Sequence, residues 1–139
     1  MPLSSHWNRA EGSKQNLFTY TNADEVELLV NGKSLGIQKN KRDDIQSRNM
    51  IYWQNIPYGK GGNIIAIACN NGKEVARHML ETTGKAKALK IELENADWKA
   101  DGMDLQYVKV YAVDSKGRVV PATEGEVTFE VSGEARLIA

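Results

Sequence analysis

The stretch YTNADEVELLVNGKSLG, Tyr20 to Gly36, decides the fold class. Within it Val26, Leu28 and Val30 alternate with Glu25, Glu27 and Leu29, the two-residue period of a strand with one buried face. Asn31-Gly32 follows, and this pair tolerates the positive φ angles of a two-residue hairpin turn. The chain then starts a second strand. Similar turn sequences recur in NNGKEVA, Asn70 to Ala76, and in DSKGRVV, Asp114 to Val120.

Working outward, the same two-residue logic covers most of the chain. NMIYWQNI, Asn49 to Ile56, is an apolar-aromatic strand stopped by Pro57, and its Trp53 is expected in the core. NIIAIAC, Asn63 to Cys69, is nearly all apolar, as a central strand covered on both faces would be. KEVARHMLE mixes Val75 and Met79 with Arg77 on one face, the pattern of an outer strand. TTGKAKA, Thr82 to Ala88, is short and polar and reads as a linker. Strand patterns then resume at Ala88–Glu94, Leu105–Val113, Arg118–Val120, Glu126–Val131 and Ala135–Ala139. No long segment keeps the three-four spacing of a helix. Short strands with Gly, Asn and Asp turns predict an all-β fold, two consecutive immunoglobulin-like β-sandwich modules.

Composition excludes several functions. The 139 residues carry 18 Lys+Arg and 18 Asp+Glu, so no basic surface is expected for nucleic acid or an anionic membrane. No apolar run reaches the length of a membrane span, and the start MPLSSHWN lacks the basic-then-apolar pattern of a signal peptide. The single cysteine, Cys69, cannot form an internal disulfide and is expected as a buried, inert thiol. Two histidines, His6 and His78, are too few for a zinc centre, so no metal or cofactor is expected. YGKGGN, Tyr58 to Asn63, leads into a strand rather than a helix and is expected as a flexible turn, not a phosphate loop. Asp97, Asp101 and Asp104 lack calcium-loop spacing, and their loop is expected to fold Trp98 over a sandwich end. If exposed, Trp7 and Tyr58 would be the aromatic candidates for stacking on sugar rings. Trp7 lies in the polar segment SSHWNRAEGS, which is expected to be mobile or held by contacts outside its own module.

Several of these stretches are familiar as a set. HWN, YTNADEVELLVNGKSLG, the W-x-x-IPY-x-x-G pattern from Trp53, and AIACNNGKEVARHMLETTGKAKALKIE resemble the region after the catalytic barrel in bacterial family-two glycoside hydrolases of the β-galactosidase type. KADGMDL and VKVYAVDSKGRVVP resemble the next immunoglobulin-like domain of the same enzymes. The resemblance runs from about His6 to Ala139. It implies accessory domains of a hydrolase of carbohydrate metabolism, with residues 1–15 as a segment following the barrel, 16–84 as a first sandwich and 85–139 as a second. The implied partner is the barrel, and the implied location of the parent is periplasmic or secreted. In that family the acid/base glutamate follows an asparagine. No Asn-Glu dipeptide occurs here, so no catalytic residue carries over and the fragment itself is expected to be inactive. A carbohydrate-binding module using Trp7 and Tyr58 is the alternative reading, and an immunoglobulin-like spacer or adhesion domain a further one. The second module offers about five strands where such a sandwich has seven. It is therefore expected to be incomplete, to expose Val127, Phe129 and Val131, and to self-associate through an unpaired strand edge.

Overall fold

A computed structural model describes residues 6–99, 101–121 and 123–138. Part of the 1–15 segment, Met1 to Ser5, and the last residue of the strand expected at Ala135–Ala139 lie outside the described residues. Every regular element is a strand, and contacts divide the chain into two units, 1–82 and 83–139.

The first unit is a sandwich. β1 (Lys14–Tyr20) pairs antiparallel with β4 (Met50–Pro57). β2 (Glu25–Val30), β3 (Lys33–Lys39), β5 (Asn63–Asn70) and β6 (Lys73–Glu81) form a second sheet in the order β3-β2-β5-β6. Alternation works as read: Val26, Leu28 and Val30 are buried and pack with Ile51, Trp53 and Ile56 of the facing sheet. Ile64 of β5 closes the core from beside β2. β5 is central but only half covered along most of its length, and β6 is the exposed outer strand.

Asn31 and Gly32 have φ of 50° and 78°, and Asn71 and Gly72 have 50° and 73°, so both pairs make the turn with two positive φ values. The third turn differs. Gly117 N donates to Asp114 O at 2.9 Å and Asp114 N donates to Arg118 O at 2.9 Å. Gly117 has φ of 76°, as in a three-residue hairpin loop closed by a glycine bulge.

In the second unit β7 (Ala88–Leu93) pairs antiparallel with β8 (Val108–Val113). Three expectations are corrected here. β8 begins at Val108 rather than Leu105. The strand expected at Arg118–Val120 is reduced to one bridge, Val119 to Val113. No strand forms at Glu126–Val131 or in residues 135–138. Alternation makes a segment able to be a strand, but only a partner's ladder makes it one, and these segments have none. Leu89, Ile91 and Leu93 share one face of β7 opposite Ala112, Val110 and Val108, and that face is open, with Ile91 62% exposed. Val127, Phe129 and Val131 are exposed as well.

Candidate functional site

The aromatic candidates come first. Trp7 is 0% exposed and Tyr58 5%, so neither ring offers a face to a sugar. Expected mobility of the Trp7 segment is also corrected. Trp7 N donates to Glu81 O at 2.9 Å, and the Thr82 hydroxyl donates to Trp7 O at 2.5 Å. The indole meets Tyr58 edge-on at 5.4 Å between centroids, and the Arg9 guanidinium lies 5.7 Å from its centre. Thus a polar segment is fixed by backbone pairing along the end of β6 and by one large ring in the core. The indole Nε1 is buried with no hydrogen-bond partner among the described residues.

The glycine-rich loop after β4 is likewise fixed rather than flexible. Asn31 Oδ1 accepts from Asn63 N at 2.9 Å, and Asn31 Nδ2 donates to Gly61 O at 3.0 Å. Gly62 has φ of 116°, and a Cβ there would sit 1.8 Å from Asn31 Oδ1. Gly62 N donates to Thr82 Oγ1 at 3.2 Å, and Tyr58 Oη lies 3.0 Å from the same oxygen. Only glycine allows this approach. The Gly61, Gly62 and Asn63 amides thus serve the fold, donating to Tyr58 O, Thr82 Oγ1 and Asn31 Oδ1.

Among the described residues each of the perturbed acids and His6 sits in its own local hydrogen bonds. His6 Nδ1 accepts from Asn8 N at 3.2 Å, and burial, aided by Arg9, lowers its pKa. His78 lies on exposed β6. Cys69 is half-buried rather than fully buried, and its thiol is pushed up by desolvation and by Glu25, Glu74 and Glu27, which makes it less reactive. Among the described residues no three His, Cys, Asp or Glu converge on a metal position. A glycosidase acid needs a raised pKa. Asp44, Glu74, Asp101 and Asp114 all move the other way, each held down by hydrogen bonds. Asp101 does this as part of a self-contained turn, accepting from Met103 N and Asp104 N. Trp98 in that turn is 43% exposed and directs its indole N–H to Asp104 O.

Two depressions stand out among the described residues. The larger, about 670 Å³, lies over the loop after β3. Half of its charged side chains are engaged: Arg42 pairs with Asp24 at 2.9 Å and donates to Asn22 O at 2.6 Å, and Asp44 accepts from the Ser47 hydroxyl at 2.6 Å. Asn40 anchors the loop by donating to Thr21 O and Ala23 O. This is a solvated, internally braced turn.

The smaller depression, about 320 Å³, lies between β3 and β4. No ladder joins these strands, and the Gln38 side chain bridges them by donating to Tyr52 O at 3.4 Å. Both strands bulge here. Gln54 and Asn55 stand opposite Asn16 alone, and Leu35 and Gly36 stand opposite Leu28 alone. Asn55 holds φ of 55° and Gly36 110°. A non-glycine residue at positive φ is uncommon, and bulges gather beside functional sites because they re-aim side chains. The alternation reading did not see this site, since a bulge is a break in the period and leaves little trace beyond Gly36.

Comparison with known proteins identifies the scaffold. Residues 89–139 match the glycoside hydrolase family 2 C-terminal domain 5. Residues 89–139 thus form a C-terminal domain of the glycoside hydrolase family 2 type. Residues 12–76 match a domain of unknown function, DUF4982. A β-galactosidase of Bacteroides ovatus is 35% identical over 132 residues, covering 94% of this chain and 15% of that protein. The crystal structure of a glycosyl hydrolase family 2 member from Bacteroides cellulosilyticus superposes with a TM-score of 0.74 at 38% identity, covering 83% of this chain and 15% of that one. A β-glucuronidase from the same family gives 0.75 at 30% identity, covering 86% and 12%. The chain thus spans 12–15% of the length of these family 2 proteins. The match is to a C-terminal domain, not to the catalytic part.

Proposed function

We propose that this chain forms non-catalytic accessory domains of a family 2 glycoside hydrolase of the β-galactosidase type, acting in carbohydrate metabolism by bracing the catalytic barrel. The observation that carries this is the family 2 C-terminal match over residues 89–139, within an alignment covering 94% of the chain. The test uses the Bacteroides ovatus β-galactosidase. Deleting its aligned segment should lower its Tm and kcat/KM, and grafting this chain in that place should restore both. A deletion that changes neither contradicts a bracing role.

The second unit supports a further reading about its partners. We propose that its open apolar face on β7 and β8, with exposed Val127, Phe129 and Val131, supports self-association of an incomplete second sandwich.

A further inference from the structure

We infer that the cleft between β3 and β4 of the first unit is a binding site for a neutral saccharide of one or two sugar units. Four observations carry it. The first is size: about 320 Å³ lies at the small end of the range of small-molecule sites. The second is the lining. Half-buried Leu35 and Ile37, 59% exposed, give an apolar wall for the C–H face of a pyranose, while Trp53 and Ile56 are buried and offer no face to it. Gln38, Gln54 and Asn55 are exposed at the rim. A carboxamide both donates and accepts, as a sugar hydroxyl does.

The third is charge. None of the nine lining residues is charged, so the cleft has no cation to pair with a uronate or phosphate. A neutral ligand is the complementary one. With no carboxylate either, the cleft can hold a sugar but not hydrolyse it. The fourth is the pair of bulges. A straight open edge would invite an extended peptide to add as a strand, but a bulge breaks the ladder such a peptide needs. Here both facing strands are bulged, and at Gln54-Asn55 the bulge places two adjacent amides at the rim. The site is separate from the bracing role, which concerns the unit as a whole.

The test is a titration of the ¹⁵N-labelled 139-residue chain with lactose, cellobiose and methyl β-glucuronide, followed by amide shifts. At least one neutral disaccharide should give saturable shifts at Gly36, Ile37, Gln38, Gln54 and Asn55, with millimolar affinity. The glucuronide should give none. The double variant Gln54→Ala, Asn55→Gly removes both amides while glycine keeps the positive φ, and it should bind about tenfold more weakly with an unchanged spectrum elsewhere. Should that variant misfold, the wild-type shift map alone decides. Shifts that never saturate, shifts centred elsewhere, or equal binding of the glucuronide would overturn the inference, as would strand-like addition of an extended peptide at these residues.

Discussion

Trp7 shows how one side chain can organise a segment that has no pattern of its own. Its ring is fully buried against Tyr58 while its neighbours in sequence stay polar. Trp7→Ala should therefore destabilise the first unit by about 3–5 kcal/mol. Trp7→Phe should cost less than half as much, because it keeps an aromatic ring and also removes a buried N–H that has no partner. Denaturant melts of the two variants check this; equal losses would mean that the orphan donor is satisfied. Asp114 plays a similar part in the second unit. Its carboxylate accepts from Gly84 N at 3.0 Å, from Lys116 N at 2.9 Å and from the Arg118 guanidinium at 2.8 Å. The Gly84 N–H, then Arg118, hold its carboxyl far below the usual range. A depressed folded pKa gives stability that is fully present above the unfolded value of about 3.9. That contribution should fade as pH falls below this value and be lost as pH passes the folded value. Asp114→Asn should flatten this part of the acid transition and lower the Tm of the second unit at neutral pH. An unchanged acid profile would refute the assignment.

Among the elements, the repeated turns are the clearest lesson. Asn31-Gly32 and Asn71-Gly72 have nearly the same backbone, yet only Asn31 spends its side chain on a neighbouring loop. Asn31→Ala and Asn71→Ala should both lose the asparagine preference for positive φ. Asn31→Ala should in addition lose two hydrogen bonds, a difference of about 1–3 kcal/mol, or several degrees in Tm. Equal melting temperatures would show that the clamp contributes nothing. The strands of the first unit were legible because their buried residues alternate and their turns carry Asn-Gly. β1 was not singled out, since its inward residues Gln15, Leu17 and Thr19 are only partly apolar and only half-buried. The Gly61-Gly62 loop was misread as flexible because its partners, Asn31 and Thr82, are remote in sequence. The strands expected after Arg118 failed for the complementary reason: pattern sets which face is apolar, while pairing depends on a neighbour. The β3–β4 cleft escaped because bulges interrupt the period that the sequence displays.

Over the whole chain, the two units contrast in how they bury apolar surface. The first closes a core around Trp7, Leu28 and Val26, whereas Phe129 in the second remains 47% exposed. Sedimentation velocity should show concentration-dependent association of the chain, and Ile91→Glu on the open β7 face should return it to a monomer. Association that survives Ile91→Glu would place the contact elsewhere, and a monomer at every concentration would remove it. The central claim is that this family 2 region braces a catalytic domain without catalysing. It is tested most directly by assaying rigorously purified chain against a panel of aryl β-galactosides and β-glucuronides. The account predicts no turnover above buffer. Turnover that is abolished by replacing one of the chain's own Asp or Glu residues would contradict it.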